Sequence, residues 1–182
     1  MKSYLKIATL LAAGGIAAAC SEELNTPVAD ETLQSMESDY VAFGMVSFIT
    51  ANGVREGRVE ADTAYVFEDT GLANLHQMEI VFYEEETGRE QATVTGIAGE
   101  WNRETNRMVA RGDVVLFLQS DSSTIESQEI FYDPGLGRVW SDSATVRTMK
   151  DGTVTSGSAF ESDMSFENIR IANARGGIRR VF

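Results

Sequence analysis

The sequence predicts an all-β fold, one long, twisted, open sheet folded on itself, and three observations support this prediction. Short runs of alternating apolar and polar residues recur from residue 40 to residue 174, the two-residue period of strands with one buried face. Turn sequences separate the runs, as at Glu86-Thr87-Gly88 and Asp151-Gly152. No stretch keeps a 3.6-residue period over three helical turns.

The first twenty residues differ from the rest of the chain. Lys2 and Lys6 form a short basic region, residues 7–19 carry no charge, and small residues precede Cys20. A basic start, a short apolar run and a small-residue boundary are typical of a secretory signal peptide. We therefore predict a signal peptide at residues 1–19 and export to the periplasm.

Cys20 follows the small residues directly, and this boundary resembles the lipobox of bacterial lipoproteins, whose thiol takes a diacylglycerol. It is the only cysteine of the chain, so no internal disulfide can form. Two or three acyl chains, such as palmitate, would hold the protein firmly, whereas one chain gives only marginal binding. We predict a lipid anchor at Cys20 that attaches the protein to a membrane, with the inner membrane as the first choice.

Two alternatives for the N-terminus stay open. One is an uncleaved transmembrane anchor, although the apolar run is shorter than the roughly 20 residues that cross a bilayer. The other is an ordinary signal peptide with an incidental cysteine.

Residues 20–39 are polar, acidic and carry Pro27, which predicts a flexible tether. The domain then covers residues 40–182, a length that allows one real core. The formal net charge of −13 argues against nucleic acid as a partner, since that binding needs Lys and Arg to displace counterions from phosphate. The basic cluster Arg175, Arg179 and Arg180 is interpreted as a solvated tail.

The alternation predicts nine strand runs, at residues 40–50, 58–68, 75–83, 91–101, 107–119, 123–132, 138–149, 153–161 and 166–174. A weak repeat of two strands recurs about every thirty residues, which is within the range of stacked repeats. Because one such unit cannot bury its apolar face alone, stacking the units predicts a continuous apolar interior with a free edge strand at each end. Free edge strands invite pairing with other chains.

A search for chemistry finds no catalytic residue, no metal site and no cofactor site. His76 is the only histidine, so the sequence offers one candidate for the histidine of a catalytic triad and too few histidines for a metal site built from them. No nucleophile elbow, phosphate-binding glycine loop or calcium loop occurs. Glu84-Glu85-Glu86 is interpreted as a charged hairpin tip, and Trp101 and Trp140 as sheet residues rather than sugar-stacking platforms. We predict that the protein is not an enzyme; an enzyme ranks third, behind a transport protein and a scaffold, and a pocket with converging carboxylates would be needed to support it.

The interior has two interpretations, a sealed hydrophobic core and a groove for acyl chains. Small residues such as Ala61, Gly96 and Ala98 stand among the large ones and favour space between the sheet halves. The residues expected to line the groove are Val59, Ala61, Ile80, Phe82, Val94, Leu116, Leu118, Ile125, Phe131, Val146 and Phe160.

Six segments, taken in order, resemble the LptC family of periplasmic components of the lipopolysaccharide export machinery. They are GRVEADTAY at 57–65, QATVTGIAG at 91–99, RGDVVL at 111–116, STIESQEIFYD at 123–133, VWSD at 139–142 and GSAFESD at 157–163. The similarity covers about residues 40 to 177, and the order and spacing of the segments carry it rather than any single one.

The resemblance implies a β-jellyroll, a V-shaped sheet whose groove receives lipid A acyl chains of lipopolysaccharide from an inner-membrane ABC transporter. Its C-terminal edge, expected at Phe166, Ile169 and Ile171, would continue the sheet into a related periplasmic β-jellyroll bridge protein. The family usually has an uncleaved N-terminal transmembrane helix, so the lipid anchor is a departure and leaves open which membrane holds the protein. The alternative function is a cell-envelope scaffold or binding lipoprotein with a sealed β core.

Overall fold

The computed structural model describes residues 38–51 and 53–178, and all regular structure in this part of the chain is β-strand. The strands are β1 (Tyr40–Ala51), β2 (Val54–Phe67), β3 (Leu72–Tyr83), β4 (Glu90–Asn102), β5 (Met108–Leu118), β6 (Ser123–Asp133), β7 (Arg138–Ser141), β8 (Thr145–Thr148), β9 (Thr153–Gly157), β10 (Ala159–Asp163), β11 (Arg170–Ala172) and β12 (Arg175–Ile178). They form one open antiparallel sheet, so the predicted fold class is confirmed. The signal peptide, Cys20, residues 20–37 of the tether, Arg179 and Arg180 lie outside the described residues.

The first six strands pair in chain order through hairpins, because each run is followed by a turn that brings the next run alongside. β6 then pairs with both β7 and β8 along its length. From there the sheet continues as β7–β10–β11 on one side and as β8–β9–β12 on the other. The predicted runs 138–149 and 153–161 are therefore each divided into two strands, and the last strands begin at Arg170 rather than at residue 166.

A line of irregularities crosses the sheet near the middle of its strands, and we call this line the crease. Gly44, Gln77 and Gly112 have positive φ angles of 59°, 49° and 77° there. A bulge or a skipped position reverses the alternation of the side chains that follow it. In β3, for example, the side chains that join the interior cluster are at odd positions before Gln77, Ala73 and Leu75, and at even positions after it, Met78, Ile80 and Phe82.

The crease divides the sheet into two halves. Half I contains residues 40–43, 63–67, 72–76, 98–102, 108–111 and 129–133 together with β7, β10 and β11, and half II contains residues 45–51, 54–61, 78–83, 90–96, 114–118 and 123–127 together with β8, β9 and β12.

The inner faces of the two halves contribute to one buried apolar cluster. Val59, Leu116 and Ile125 of half II are fully buried, and Leu75 and Trp101 of half I are nearly so. One small residue of the interior, Gly99, is tightly surrounded. A Cβ atom at Gly99 would overlap the Sδ atom of Met78 and would lie 2.9 Å from the carbonyl oxygen of Val109. Gly99 therefore permits a close approach of side chain and backbone at this point of the interior.

Candidate functional site

The inner face brings together nine of the eleven residues predicted to line a groove. None of the nine is more than 5% exposed, and all belong to the same buried cluster. They are Val59, Ala61, Ile80, Phe82, Val94, Leu116, Leu118, Ile125 and Phe160. These nine residues therefore share one buried apolar cluster to which both halves contribute.

Phe131 lies on the opposite, outer face, so its assignment to the groove is corrected. Its ring stacks on Trp140 with centroids 5.2 Å apart, and the Arg138 guanidinium lies 4.3 Å from the Trp140 ring centre. The crease crosses β6 between Ile125 and Phe131 and reverses the alternation, so that Ile130 and Tyr132 point inward instead.

Val146 also lies on the outer face. It pairs with Glu126 and Ser156 and lines an open surface cavity of about 610 Å³ with them. The inward-facing neighbour of Ile125 on β8 is Arg147, not Val146. Hydrophobicity alone therefore assigned Val146 to the wrong side of its strand.

Far from the crease, the two halves meet at an apolar end of the interior that we call the mouth. Phe82 of half II packs against Tyr132 of half I, with ring centroids 4.9 Å apart. Burial, together with the negative charges of Glu56 and Asp133, raises the pKa of Tyr132 to about 12. The phenol is therefore neutral at physiological pH, and the mouth keeps its apolar character.

Phe166 is not on an edge strand, so its predicted role as an edge contact is corrected. It lies in residues 164–169, the connection between β10 and β11, which we call the strap. Its side chain is buried, and its ring packs 5.6 Å from the Phe82 ring at the mouth. Ile171 does lie on edge strand β11, and Ile169 directly precedes it; both are partly buried against the core.

The strap is held by a hydrogen-bond network centred on the Asp163 carboxylate. Ser165 Oγ donates to Oδ1 over 2.9 Å, the Glu167 backbone N–H donates to the same oxygen over 3.2 Å, and Asn168 Nδ2 donates to Oδ2. Burial alone would raise the pKa of Asp163, but these hydrogen bonds outweigh it and hold the pKa below its ordinary value. An Asp followed two residues later by Ser is a turn sequence, and this signal was available to mark the end of β10.

One further hydrogen bond connects the strap to half II. Gln91 Nε2 of β4 donates to the backbone oxygen of Ser165 over 2.7 Å. The strap therefore begins and ends in half I but is attached to side chains of both halves.

The inner face is polar in the last third of the sheet, which sequence reasoning missed. Ser127 and Ser141 share a 2.8 Å hydrogen bond between their Oγ atoms, and both are buried. Arg147 donates to Ser123 Oγ over 3.3 Å and to Asp121 Oδ2 over 2.6 Å. Such groups need hydrogen-bond partners when buried, so they do not suit an acyl chain. The apolar inner surface is therefore concentrated on β2 to β5 and continues onto β6 at Ile125, Ile130 and Tyr132.

The two edges of the sheet differ. β1 is a 12-residue edge strand, and its outer face exposes Phe43, Val46 and Phe48 to 69%, 55% and 47%. The opposite edge consists of β11 and β12, of three and four residues, with Arg175, Gly176 and Gly177 exposed on β12.

His76 and Glu84, two titratable residues that the sequence singled out, lie at solvent-accessible positions. His76 is exposed and packs edge-on against Tyr65, with ring centroids 5.6 Å apart. Glu84 accepts hydrogen bonds from Thr87 and Arg89 of its own turn, and these lower its pKa, as expected for a hairpin tip. Within residues 38–51 and 53–178, no group of three or more His, Cys, Asp or Glu side chains is placed to hold a metal ion. The same residues include no helix long and apolar enough to span a membrane.

Comparisons with known proteins agree with this architecture. A family model described as "Lipopolysaccharide-assembly, LptC-related" matches residues 7–178. Among solved structures, the chain is similar to LptH, the LptA homologous periplasmic component of the conserved lipopolysaccharide transport device from Pseudomonas aeruginosa. The TM-score is 0.53 at 14% identity, and the match covers 68% of this chain and 95% of LptH. No curated protein matches the sequence.

Proposed function

Because the chain belongs to the LptC-related lipopolysaccharide-assembly family, we propose that it is a non-catalytic periplasmic relay in lipopolysaccharide transport. It receives lipid A acyl chains in its interior from an inner-membrane ABC transporter. It then passes them to a related periplasmic β-jellyroll bridge protein that pairs with an edge of its sheet.

The observation that carries this proposal is the continuous apolar inner face of β2 to β6. Eight of the nine buried residues predicted for the groove lie on it, and Phe160 of β10 joins them in the same cluster. None of the nine side chains has a polar group. Burying an acyl chain there would contribute about 0.8 kcal/mol per methylene, while the glycan and phosphates stay in water. Since the halves are in contact, the chains enter only where side chains of the interior give way.

The edges supply the contacts with other proteins. In the part of the chain that the structure describes, β1, β11 and β12 each pair with a strand on one side only, and their other side is suited to strand addition. In this proposal β11 and β12 continue into the bridge protein, with Ile171 at the junction. A lipid on Cys20 holds the domain at the periplasmic side of the inner membrane through the tether.

A second candidate is a cell-envelope scaffold lipoprotein, and the tight packing of the interior favours it. In that case the nine inner residues are a sealed core, and only the edges bind. Such a protein needs no lipid ligand.

Copurification of the tagged full chain from cell envelopes separates the two functions. A relay brings down lipopolysaccharide, an ABC transporter and a sheet-sharing protein. Recovery of sheet-sharing proteins without any lipopolysaccharide would favour the scaffold and overturn the relay. A charged substitution such as Leu116→Asp is unsuited to this test, because a carboxylate at a fully buried position would unfold the domain.

A further inference from the structure

The strap places the aromatic side chain of Phe166 in the apolar interior, although a surface connection does not require a buried aromatic residue. Phe166 has a φ angle of +56°, a region that aromatic residues rarely adopt, and it is nevertheless only 5% exposed. A strained backbone that buries its own side chain is held by its surroundings rather than by local preference. The strap is therefore poised to move if those surroundings change.

The ring occupies the route into the interior. Phe166 of the strap packs on Phe82 of half II, and Phe82 packs in turn on Tyr132 of half I. These three rings close the mouth. Below them lie the buried apolar residues of β2 to β6. A chain that enters between the halves from this end meets the Phe166 ring first.

The polar contacts that hold the strap lie near solvent. They are the hydrogen bonds to Asp163 and the hydrogen bond from Gln91 to the Ser165 carbonyl oxygen. Met164 and Ile169, on either side of Phe166, are only partly buried against the apolar cluster. Water can replace each of the hydrogen bonds when the strap moves, so their net contribution is modest. The apolar gain from an acyl chain grows with its length, and a chain of more than a few methylenes buries more apolar area than one phenyl ring.

We propose that the strap is a plug: the Phe166 ring fills the first acyl-binding position of the mouth, and an incoming lipid acyl chain displaces it. This inference rests on the relay function and identifies where the lipid enters. In the empty protein the ring keeps the interior closed to water, and in the loaded protein the strap lies outside the mouth.

Hydrogen exchange on the full chain, with and without purified lipopolysaccharide, tests the plug. The backbone N–H groups of Phe166, Glu167 and Asn168 donate to Asp163 when the strap is in place. We expect their exchange to become about tenfold faster or more in the loaded protein, since exchange reports the open population. Amides of β5 and β6 stay protected. Lipopolysaccharide retained by the protein with an unchanged strap would overturn the plug and leave the relay intact. No retention at all would overturn the relay itself.

A matched pair of phenylalanine variants adds a kinetic test. Phe166→Ala removes the plug and should speed lipopolysaccharide capture by about tenfold, because a closed state no longer competes with the ligand. Phe131→Ala removes the same side chain from the outer face and should leave the rate unchanged. If Phe166→Ala fails to fold, Asp163→Asn keeps the ring and weakens the strap, and faster capture is again expected. Equal rates in the wild type and in the folded plug variant would contradict the proposal.

Discussion

The inner face and the edges of this sheet differ in the groups that they offer for binding. The inner face has no free surface, since its apolar side chains are in contact with those of the other half. Among the described residues, the edge strands pair with a neighbouring strand on one side only, and β1 adds exposed apolar side chains on its outer face. Strand pairing could therefore proceed without rearrangement, whereas lipid entry in the proposed relay would require side chains to move. In that proposal, protein contacts form at the edges and only the interior has to open.

The two edges also differ from one another. β1 offers a long strand with three exposed apolar side chains, while the opposite edge is divided into two short strands by the crease. A partner that pairs with β1 gains side-chain contacts on the outer face as well as backbone hydrogen bonds. A partner at β11 and β12 must follow a sheet that changes direction between them.

The largest effect on stability is expected for Leu116→Ala, which deletes a fully buried side chain of the inner face. The free energy of unfolding should fall by about 3 kcal/mol, since the variant loses apolar burial and leaves a cavity. Urea unfolding followed by circular dichroism measures this. Val46→Ala on the outer face of β1 is the edge control and should change it by less than about 0.5 kcal/mol. Equal losses would mean that the edge is as well packed as the interior.

Two glycine substitutions test the same difference between the interior and the edge, with smaller expected changes in the free energy of unfolding. Gly99→Ala places a methyl group against Met78 and the Val109 carbonyl oxygen and should cost about 1–3 kcal/mol. Gly177→Ala on edge strand β12 meets no atom within 4 Å, so the loss of backbone entropy from the unfolded chain should stabilise it by up to about 0.5 kcal/mol. Thermal unfolding of both variants shows whether each substitution stabilises or destabilises the protein. A destabilised Gly177→Ala variant would show that the backbone or the packing at this edge does not tolerate a methyl group.

The pH dependence of the free energy of unfolding tests whether Tyr132 is buried at the mouth. The pKa of Tyr132 is raised to about 12, mainly by burial, whereas an unfolded tyrosine titrates near 10. The folded protein therefore keeps this proton longer, and its stability should fall by about 2 kcal/mol as the pH rises from about 10 to 12. Tyr132→Phe should lack this part of the pH dependence. If both proteins lose stability in parallel over this range, the phenol is not buried at the mouth.

The smallest effect on stability is expected for Val46→Lys at the exposed side of β1. The free energy of unfolding should change by less than about 0.5 kcal/mol, because the side chain is solvent-exposed. Recovery of the partner that pairs with β1 should nevertheless fall several-fold, since an edge lysine opposes strand addition. Copurification beside the wild type measures this, and unchanged recovery would exclude β1 as a docking edge.

The alternation of the sequence was sufficient to predict the open antiparallel sheet, its first six strands and most of the inner face. It was insufficient at the crease, where a shift of one position reverses every side chain beyond it. Phe131 was placed on the wrong face for this reason. Phe166 was placed on an edge strand because it is an apolar residue in a run that resembles a strand. Its inward direction depends on the contact with Phe82, which is distant in the chain, and the local sequence does not indicate this contact.

The central claim is that the inner face of this sheet, and not its outer face, contacts lipid acyl chains. A benzophenone-bearing phenylalanine analogue placed in turn at Phe82, on the inner face, and at Phe131, on the outer face, tests it with the same native side chain at both positions. After irradiation in cells, we predict lipopolysaccharide crosslinked at position 82 and none at position 131. Absence of the crosslink at position 82 in a folded protein, or equal crosslinking at both positions, would contradict the account.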